Sequence, residues 1–300
     1  ADHLENYGGD FNRVKQAFSE FLHRLPFYGL AVLCIEDEEV RALAQEMPRH
    51  CVTYGFGEDA DVRASAIQQK GGQMHFTMHL PDGKTQEVEL NLPGRHNVLN
   101  ALAASAIGWQ LGVTRENIAK ALSQFGGIGR RFNIKGELAL KDGKALLVDD
   151  YGHHPSELAA VFAAARGGWP DRRMVVAFQP HRYSRTRDLF DEFTAVLSEA
   201  DAVVLTDVYA AGESPILGAD AKALARSIRT RGRLDPVVVG PAQALRHVLC
   251  DVLRDGDLLL VMGAGDIGSV ASELAQHGLL LGGHPQQHIH HCTCIRAHAG

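Results

Sequence analysis

No run in this 300-residue chain approaches the roughly 18–20 apolar residues of a membrane-spanning helix, and no charged and apolar leader opens it. No membrane partner and no export are therefore expected. Cysteine is scarce: five residues, well separated except for Cys292 and Cys294, offer no disulfide framework and fit a reducing, cytoplasmic setting. An excess of positive charge is also missing. Thirty Lys and Arg against 36 Asp and Glu give a formal net charge of −6, which argues against a nucleic-acid or anionic-membrane binder, although local basic patches are compatible with it. The phosphate-cradling pattern GxxxxGK[ST] does not occur, so these residues alone hold no evident nucleotide-phosphate loop. What is present, 45% hydrophobic and 22% charged residues, describes a globular chain with room for two domains. Oligomeric state is left open.

The most informative stretch lies at 148–187, where two polar clusters, VDDYGHHPSE and QPHRYSRTRD, each follow a strand-like apolar run. ALLVDD (145–150) and RMVVAFQ (173–179) read as buried parallel strands, and SELAAVFAAAR between them as a helix. Leu158, Val161, Phe162 and Ala165 share one face of that helix, and Pro155 suits its first position, where the missing N–H costs nothing. In such a unit both clusters emerge at the carboxyl ends of neighbouring strands, where open α/β sheets bind ligands. Two carboxylates, three histidines and three arginines would converge there, with Asp188 just beyond. That mixture suits a phosphorylated or carboxylated substrate; two polar turns on a generic sheet are the plainer alternative.

From about 135 onward strands and helices alternate. AVVLTD (202–207), PVVVG (236–240) and DLLLVMG (257–263) continue the series, with the crossover spacing of a doubly wound, Rossmann-like parallel sheet. The first half is mixed: a helix at 14–25, a buried strand at 29–37, antiparallel strands over 62–92 with Asp82-Gly83 as a hairpin turn, and an alanine-rich helix at 97–111. GGIGRRF (126–132) reads as a hinge. The expected organisation is one unit over 1–133, a second over 134–276, and a disordered tail over 277–300. The tail's GGHPQQHIHHCTCIRAHAG stretch carries five of the sixteen histidines. His290, His291, Cys292 and Cys294 offer soft-metal donors, but without periodicity an unstructured terminus is the reading preferred.

Other motifs are ambiguous by themselves. GAGDIG (263–268) matches a dinucleotide-binding pattern, yet it follows the last strand rather than the first and lacks the acidic residue about 20 positions on. A tight strand-to-helix turn is the simpler reading. Asn97 and Asn100 lie three apart near a helix start, where paired amides can read an adenine edge or merely cap the helix. Arg130 and Arg131 suit a phosphate clamp or a decorated hinge. His3 by spacing alone carries nothing.

Taken together, ADHLENYGGDF, FLHRLPFYGLAVLC, GRHNVLNALAA, GIGRRF, VDDYGHHPSE, FQPHRYSRTRDLFDEF and VYAAGESPILGAD closely resemble the Mur ligase family, over residues 1 to about 276. The resemblance implies an α/β chain in which an incomplete central ATPase domain, a parallel sheet with a small antiparallel part, precedes a Rossmann-like ligase domain. DDYGHHP and PHRYSRTRD favour the member that adds L-alanine to UDP-N-acetylmuramate over the relative that recycles murein tripeptide. The implied chemistry is ATP-dependent and starts the peptide stem of peptidoglycan: the muramyl carboxylate becomes an acyl phosphate, which the alanine amine attacks. By motif matching, His3 corresponds to a Mg2+ ligand. Asn97 and Asn100 correspond to adenine contacts, Arg131 to a phosphate contact, and Asp150 to a nucleotide contact from the second domain. Tyr151, His153, His181, Arg182 and Arg185 match the side where alanine and the muramyl group sit, with His153, His181, Arg182 and Arg185 as candidate catalytic groups and Tyr151, His181, Arg182 and Arg185 as substrate-binding ones. The family's UDP-binding domain, phosphate loop and acidic magnesium ligand have no counterpart in these residues, so this chain alone is expected to be inactive. A non-catalytic anion-binding module and, behind it, an NAD-dependent oxidoreductase using GAGDIG are the alternatives carried.

Overall fold

A computed structural model describes residues 7–47 and 50–279. His3, with its implied magnesium role, and the His/Cys tail from residue 280 lie outside the described residues.

The first half begins with helix α1 (Phe11–His23), started by Asp10, whose side chain accepts from the Asn12 backbone N–H. Strand β1 (Ala31–Cys34), helix α2 (Glu38–Glu46) and strands β2 (Cys51–Gly55), β3 (Val62–Lys70), β4 (Gln73–His79) and β5 (Thr85–Leu90) follow. The five strands form one sheet in sequence order, parallel from β1 to β3 and antiparallel from β3 to β5. Gly83, at φ +75°, turns the β4–β5 hairpin at the expected Asp82-Gly83. Helix α3 (Arg95–Gln110) lies on β1, β2 and β3, and helix α4 (Arg115–Gln124) packs on β5. The small residues Ala101, Ser105 and Ala106 on α3 let it approach the sheet closely, and Val62, Phe76, Met78, Val98 and Leu102 close the core between them.

Strand β6 (Asn133–Ala139) opens the second half and pairs antiparallel with β7 (Lys144–Asp150). Helix α5 (Pro155–Gly168), β8 (Met174–Phe178), the short helices α6 (Tyr183–Asp188) and α7 (Phe190–Leu197), β9 (Ala202–Leu205), α8 (Ala221–Thr230), β10 (Val237–Val238), α9 (Leu245–Val252), β11 (Leu258–Met262) and α10 (Ile267–His277) complete it. The sheet order is β10-β9-β8-β11-β7-β6, with every pair parallel except β6–β7. The second half is thus a mostly parallel α/β layer, as the alternation predicts.

One expectation needs correction. β7 and β8 are not neighbours; β11 lies between them, with Leu260 in register with Val148 on one side and Val176 on the other. The physical reason is burial. LLLVM is fully apolar and buried along its whole length, so it takes a central position covered on both faces. Alternate residues point to opposite layers: Val148, Phe178 and Leu260 pack with Phe162 and Phe193, whereas Leu147, Val175 and Leu259 pack with Leu245, Leu249 and Ile267. The fold also runs past 276. Helix α10 ends at His277, Leu279 joins the second layer, and Arg246 donates to the carbonyls of Leu279 (2.9 Å) and His277 (3.3 Å), so the packed chain reaches Leu279.

Between the two sheets the chain passes through Arg130 and Phe132, both non-glycine residues at positive φ (+58° and +42°). Such conformations persist only where surroundings hold them. Here Phe132 stacks on Trp169 at 5.7 Å and donates its N–H to Asp150 Oδ2 (2.7 Å), and the Arg130 carbonyl accepts from Tyr151 N–H (2.8 Å). Arg130 also pairs with buried Asp149 (3.4 Å) and donates to the Gly263 carbonyl.

Amide hydrogen exchange is expected to be slowest in β7, β8 and β11, which are paired on both edges and buried on both faces, and faster in β1 and β2. Equal protection over 31–34 and 145–150 would show that the two halves open as one unit.

Candidate functional site

The N-terminal turn of α3 faces the start of α5 across the hinge, and a cleft of about 470 Å3 opens between them. It is lined by Asn97, Asn100, Arg131 and Asp150, together with His96, Phe132 and Glu157. All four residues matched to nucleotide contacts therefore share one cavity. Gly94 permits this approach: at φ +95°, any Cβ there would lie 2.9 Å from the Ala164 methyl of α5. Asn97 is buried and donates to the Pro93 carbonyl (2.8 Å) while accepting from Asn100 (3.3 Å), so Asn100 is the more exposed of the pair. Asp150 accepts from Phe132 N–H and Gly152 N–H, both at 2.7 Å, and fastens the hinge as it lines the cleft. Burial pushes its carboxyl above the usual range against those two hydrogen bonds and the Arg131 charge. The half-exposed Arg131 guanidinium lies 3.3 Å from Glu157 Oε1.

On the other side of Glu157, past the ends of β7 and β8, an aromatic chain runs Tyr151–His153–His181–Tyr209, with ring centroids 5.3, 5.8 and 5.4 Å apart. The clusters meet as expected, although the strands bearing them are not adjacent. The hydrogen bonds assign the two histidine tautomers. His153 Nδ1 faces the Tyr151 carbonyl at 3.1 Å and Glu157 Oε2 at 3.5 Å, both acceptors, so its proton sits on Nδ1 and its lone pair on Nε2. His181 Nδ1 lies 3.1 Å from Arg185 Nη1, and a guanidinium only donates, so His181 keeps its lone pair on Nδ1. Burial, then the charge of Arg185, lowers the His181 pKa to about 4; burial also lowers that of His153. Both rings are neutral near pH 7.

Arg182 is exposed, at φ +69°, and its N–H donates to the Tyr209 carbonyl (2.8 Å), which seats α6. Glu213 holds the same helix by accepting from Ser184 N–H (2.9 Å) and Oγ (2.6 Å). The third arginine and Asp188 do not join the cleft: exposed Arg187 pairs with Asp188 at 2.7 Å. Sequence reasoning passed over Glu157, Gln179, Tyr209 and Glu213. Glu157 carried a signal, since it stands three residues past the helix-capping His154, where a Glu reaches back to cap backbone N–H groups.

The GAGDIG turn sits at the end of the central strand, between the clusters. Its three motif glycines are packed against protein. A Cβ on Gly263 would meet the Gln179 carbonyl at 2.8 Å, one on Gly265 the Gln179 and Tyr209 side chains, and one on Gly268 the Arg130 guanidinium. Gln179 also accepts from Ile267 N–H (3.1 Å) and donates to Asp266 (2.6 Å). Among the described residues no group of three or more His, Cys, Asp or Glu is placed to hold a metal ion, and no helix is long and apolar enough to cross a membrane.

Comparison with known proteins agrees with this layout. Residues 1–108 match the Mur ligase middle domain and residues 130–265 the Mur ligase glutamate ligase domain. The UDP-N-acetylmuramate–L-alanine ligase of Stenotrophomonas maltophilia (strain K279a) is 67% identical over 279 residues, covering 93% of this chain and 58% of its own length. That of Xanthomonas campestris pv. campestris (strain B100) is 66% identical over 281 residues, covering 93% and 59%. This chain thus spans under two thirds of the curated relatives it matches. A solved UDP-N-acetylmuramate–alanine ligase from Thermotoga maritima superposes with a TM-score of 0.71 at 29% identity, covering 92% of this chain and 57% of that one. A ligase of the same organism solved with ADP shares the fold, with a TM-score of 0.66 at 17% identity. With both domain families matched in order along two sheets that meet at one cleft, the chain belongs to the Mur ligase family.

Proposed function

We propose that this chain carries the nucleotide cleft and the acceptor cleft of a cytoplasmic, ATP-dependent ligase that joins L-alanine to UDP-N-acetylmuramate in peptidoglycan synthesis. The carrying observation is the meeting of Asn97, Asn100, Arg131 and Asp150 in one cavity, with Tyr151, His153, His181, Arg182 and Arg185 immediately beyond it. The identity of about two thirds to ligases of that specificity supports the choice of substrates.

In this reading Asn97 and Asn100 present amides to the adenine edge, and Arg131 meets the phosphates. Transfer of the γ-phosphoryl group makes the muramyl carboxylate an acyl phosphate. The alanine ammonium gives one proton to His153 Nε2, and the free amine attacks the acyl carbon. The C–N bond forms, the C–O bond to phosphate breaks, and a second amine proton leaves with the phosphate or to water. Arg182 and Arg185 offset the negative charge on the acyl phosphate and the alanine carboxylate, the kind of positioning and charge stabilisation such transfers depend on. Magnesium would shield phosphate charge in such a reaction. Its matched ligand His3 lies outside the described residues and the described ones hold no donor set for it, so no step here runs through it.

The test is to fuse residues 1–279 behind the upstream portion of the Stenotrophomonas ligase and measure ADP release. Release requiring both UDP-N-acetylmuramate and L-alanine is expected from the fusion and none from the 300-residue chain alone, which has no GxxxxGK[ST] loop. A well-folded fusion that releases no alanine-dependent ADP would refute the assignment.

A further inference from the structure

The Glu157 side chain touches both clefts. Its Oε1 meets Arg131 of the nucleotide cleft at 3.3 Å. Its Oε2 accepts from the backbone N–H groups of His153 (2.9 Å) and His154 (3.1 Å) and lies 3.5 Å from His153 Nδ1. The carboxylate is about one-third exposed; burial raises its pKa, but the two backbone N–H groups, the His153 ring and Arg131 outweigh that and hold it below the usual range, so it stays ionised. It also sits in the third position of α5, one turn from the helix start, so its backbone is anchored by the helix that packs into the core.

Resting on the ligase reading above, we propose that Glu157 is a positioning residue of the transfer step: a single carboxylate ties the phosphate-facing Arg131 to the amine-facing His153 and keeps the His153 lone pair on Nε2. The physical argument is geometric. A proton acceptor and a phosphate contact on separate loops must hold a fixed spacing while the acyl phosphate is made at one and consumed at the other, and reacting groups lose rate steeply with small displacements. The hinge residues around Arg131 and the loop bearing His153 belong to different segments, and Glu157 joins them directly. Its negative charge also stabilises the imidazolium formed when His153 takes the amine proton, as a carboxylate beside a catalytic histidine does.

Two substitutions separate this role from simple helix capping. Glu157→Gln keeps an oxygen acceptor for the two backbone N–H groups but removes the charge; Glu157→Asp keeps the charge on a shorter arm. In the 300-residue chain, NMR titration of the His153 ring should show a lower pKa in the Gln variant, because the Glu157 charge raises it, and a nearly unchanged one in the Asp variant. In the fusion ligase the Gln variant should lose about tenfold or more in kcat, the range seen when partners of an active group are removed, with KM for UDP-N-acetylmuramate within about twofold. Its acid limb in the pH–rate profile should move to lower pH, and the Asp variant should recover part of kcat. A Gln variant with the parent kcat and acid limb overturns the proposal, as does an Asp variant as impaired as Gln in both readouts. A fusion inactive with Glu157 in place would sink the ligase reading instead, while the titration would still decide whether Glu157 holds His153.

Discussion

Replacing Arg185 by alanine in the fusion ligase is expected to lower kcat/KM for UDP-N-acetylmuramate by about 10²–10³-fold, the scale on which a preorganised charge donor acts in a transition state. Arg185 is half-buried, and its guanidinium bonds both the ring and the carbonyl of His181, at 3.1 and 3.2 Å. The loss is therefore double: a cation leaves the proposed site of acyl-phosphate charge, and His181 loses the donor that fixes its ring. The sign of the accompanying titration is determined. Arg185 depresses the His181 pKa, so without it that pKa should rise from about 4 toward the ordinary histidine value, visible by NMR. Arg185→Lys keeps a charge but not the planar fork, and should recover only part of the rate. The thermal midpoint should move little, because the side chain is only half-buried at the end of the sheet. Unchanged kinetics for alanine and the muramyl nucleotide would show that the strand-end cluster is not the acceptor cleft.

The largest stability effect is expected at the centre of the second sheet. Leu260 is fully buried, flanked in register by Val148 and Val176, and packs in the layer that holds Phe178 and Phe193. Leu260→Ala removes three carbons from a site enclosed on every side, so about 3–4 kcal/mol should be lost in urea unfolding of residues 133–279. Leu90→Ala, in the separate core of the first sheet, should leave that transition nearly in place. A cost below about 1 kcal/mol for Leu260→Ala would be incompatible with a central β11.

Much of this was legible in the residues. The alternation of apolar runs with amphipathic helices identified β7, α5, β8, β9 and β11, because a parallel sheet covered on both faces needs continuous Val and Leu runs and 3.6-residue helix periodicity reveals the covering layer. The Asp82-Gly83 turn was readable because a tight hairpin there needs a residue tolerant of positive φ. Strand adjacency was not readable. ALLVDD and RMVVAFQ carry no mark of the strand that later separates them, since parallel strands pair through backbone groups common to every residue. Nor was the tight packing around the GAGDIG glycines, which depends on Gln179, Tyr209 and Arg130 arriving from three distant segments.

The chemistry of the candidate site followed the same division. Which residue types are present, and that they stand at strand ends, was determined by the sequence itself: a polar cluster directly after a buried strand has nowhere to go but the sheet's carboxyl edge. Their mutual roles were decided only in three dimensions. That His153 keeps its lone pair on Nε2 while His181 keeps its own on Nδ1 follows from whether a carbonyl or a guanidinium lies opposite each ring. That Glu157 spans two clefts follows from the hinge, where Arg130 and Phe132 at positive φ bring Arg131 to the start of α5. Local preference is encoded residue by residue, but a site assembled from α3, the hinge, α5 and α6 exists only once long-range packing has brought those elements together.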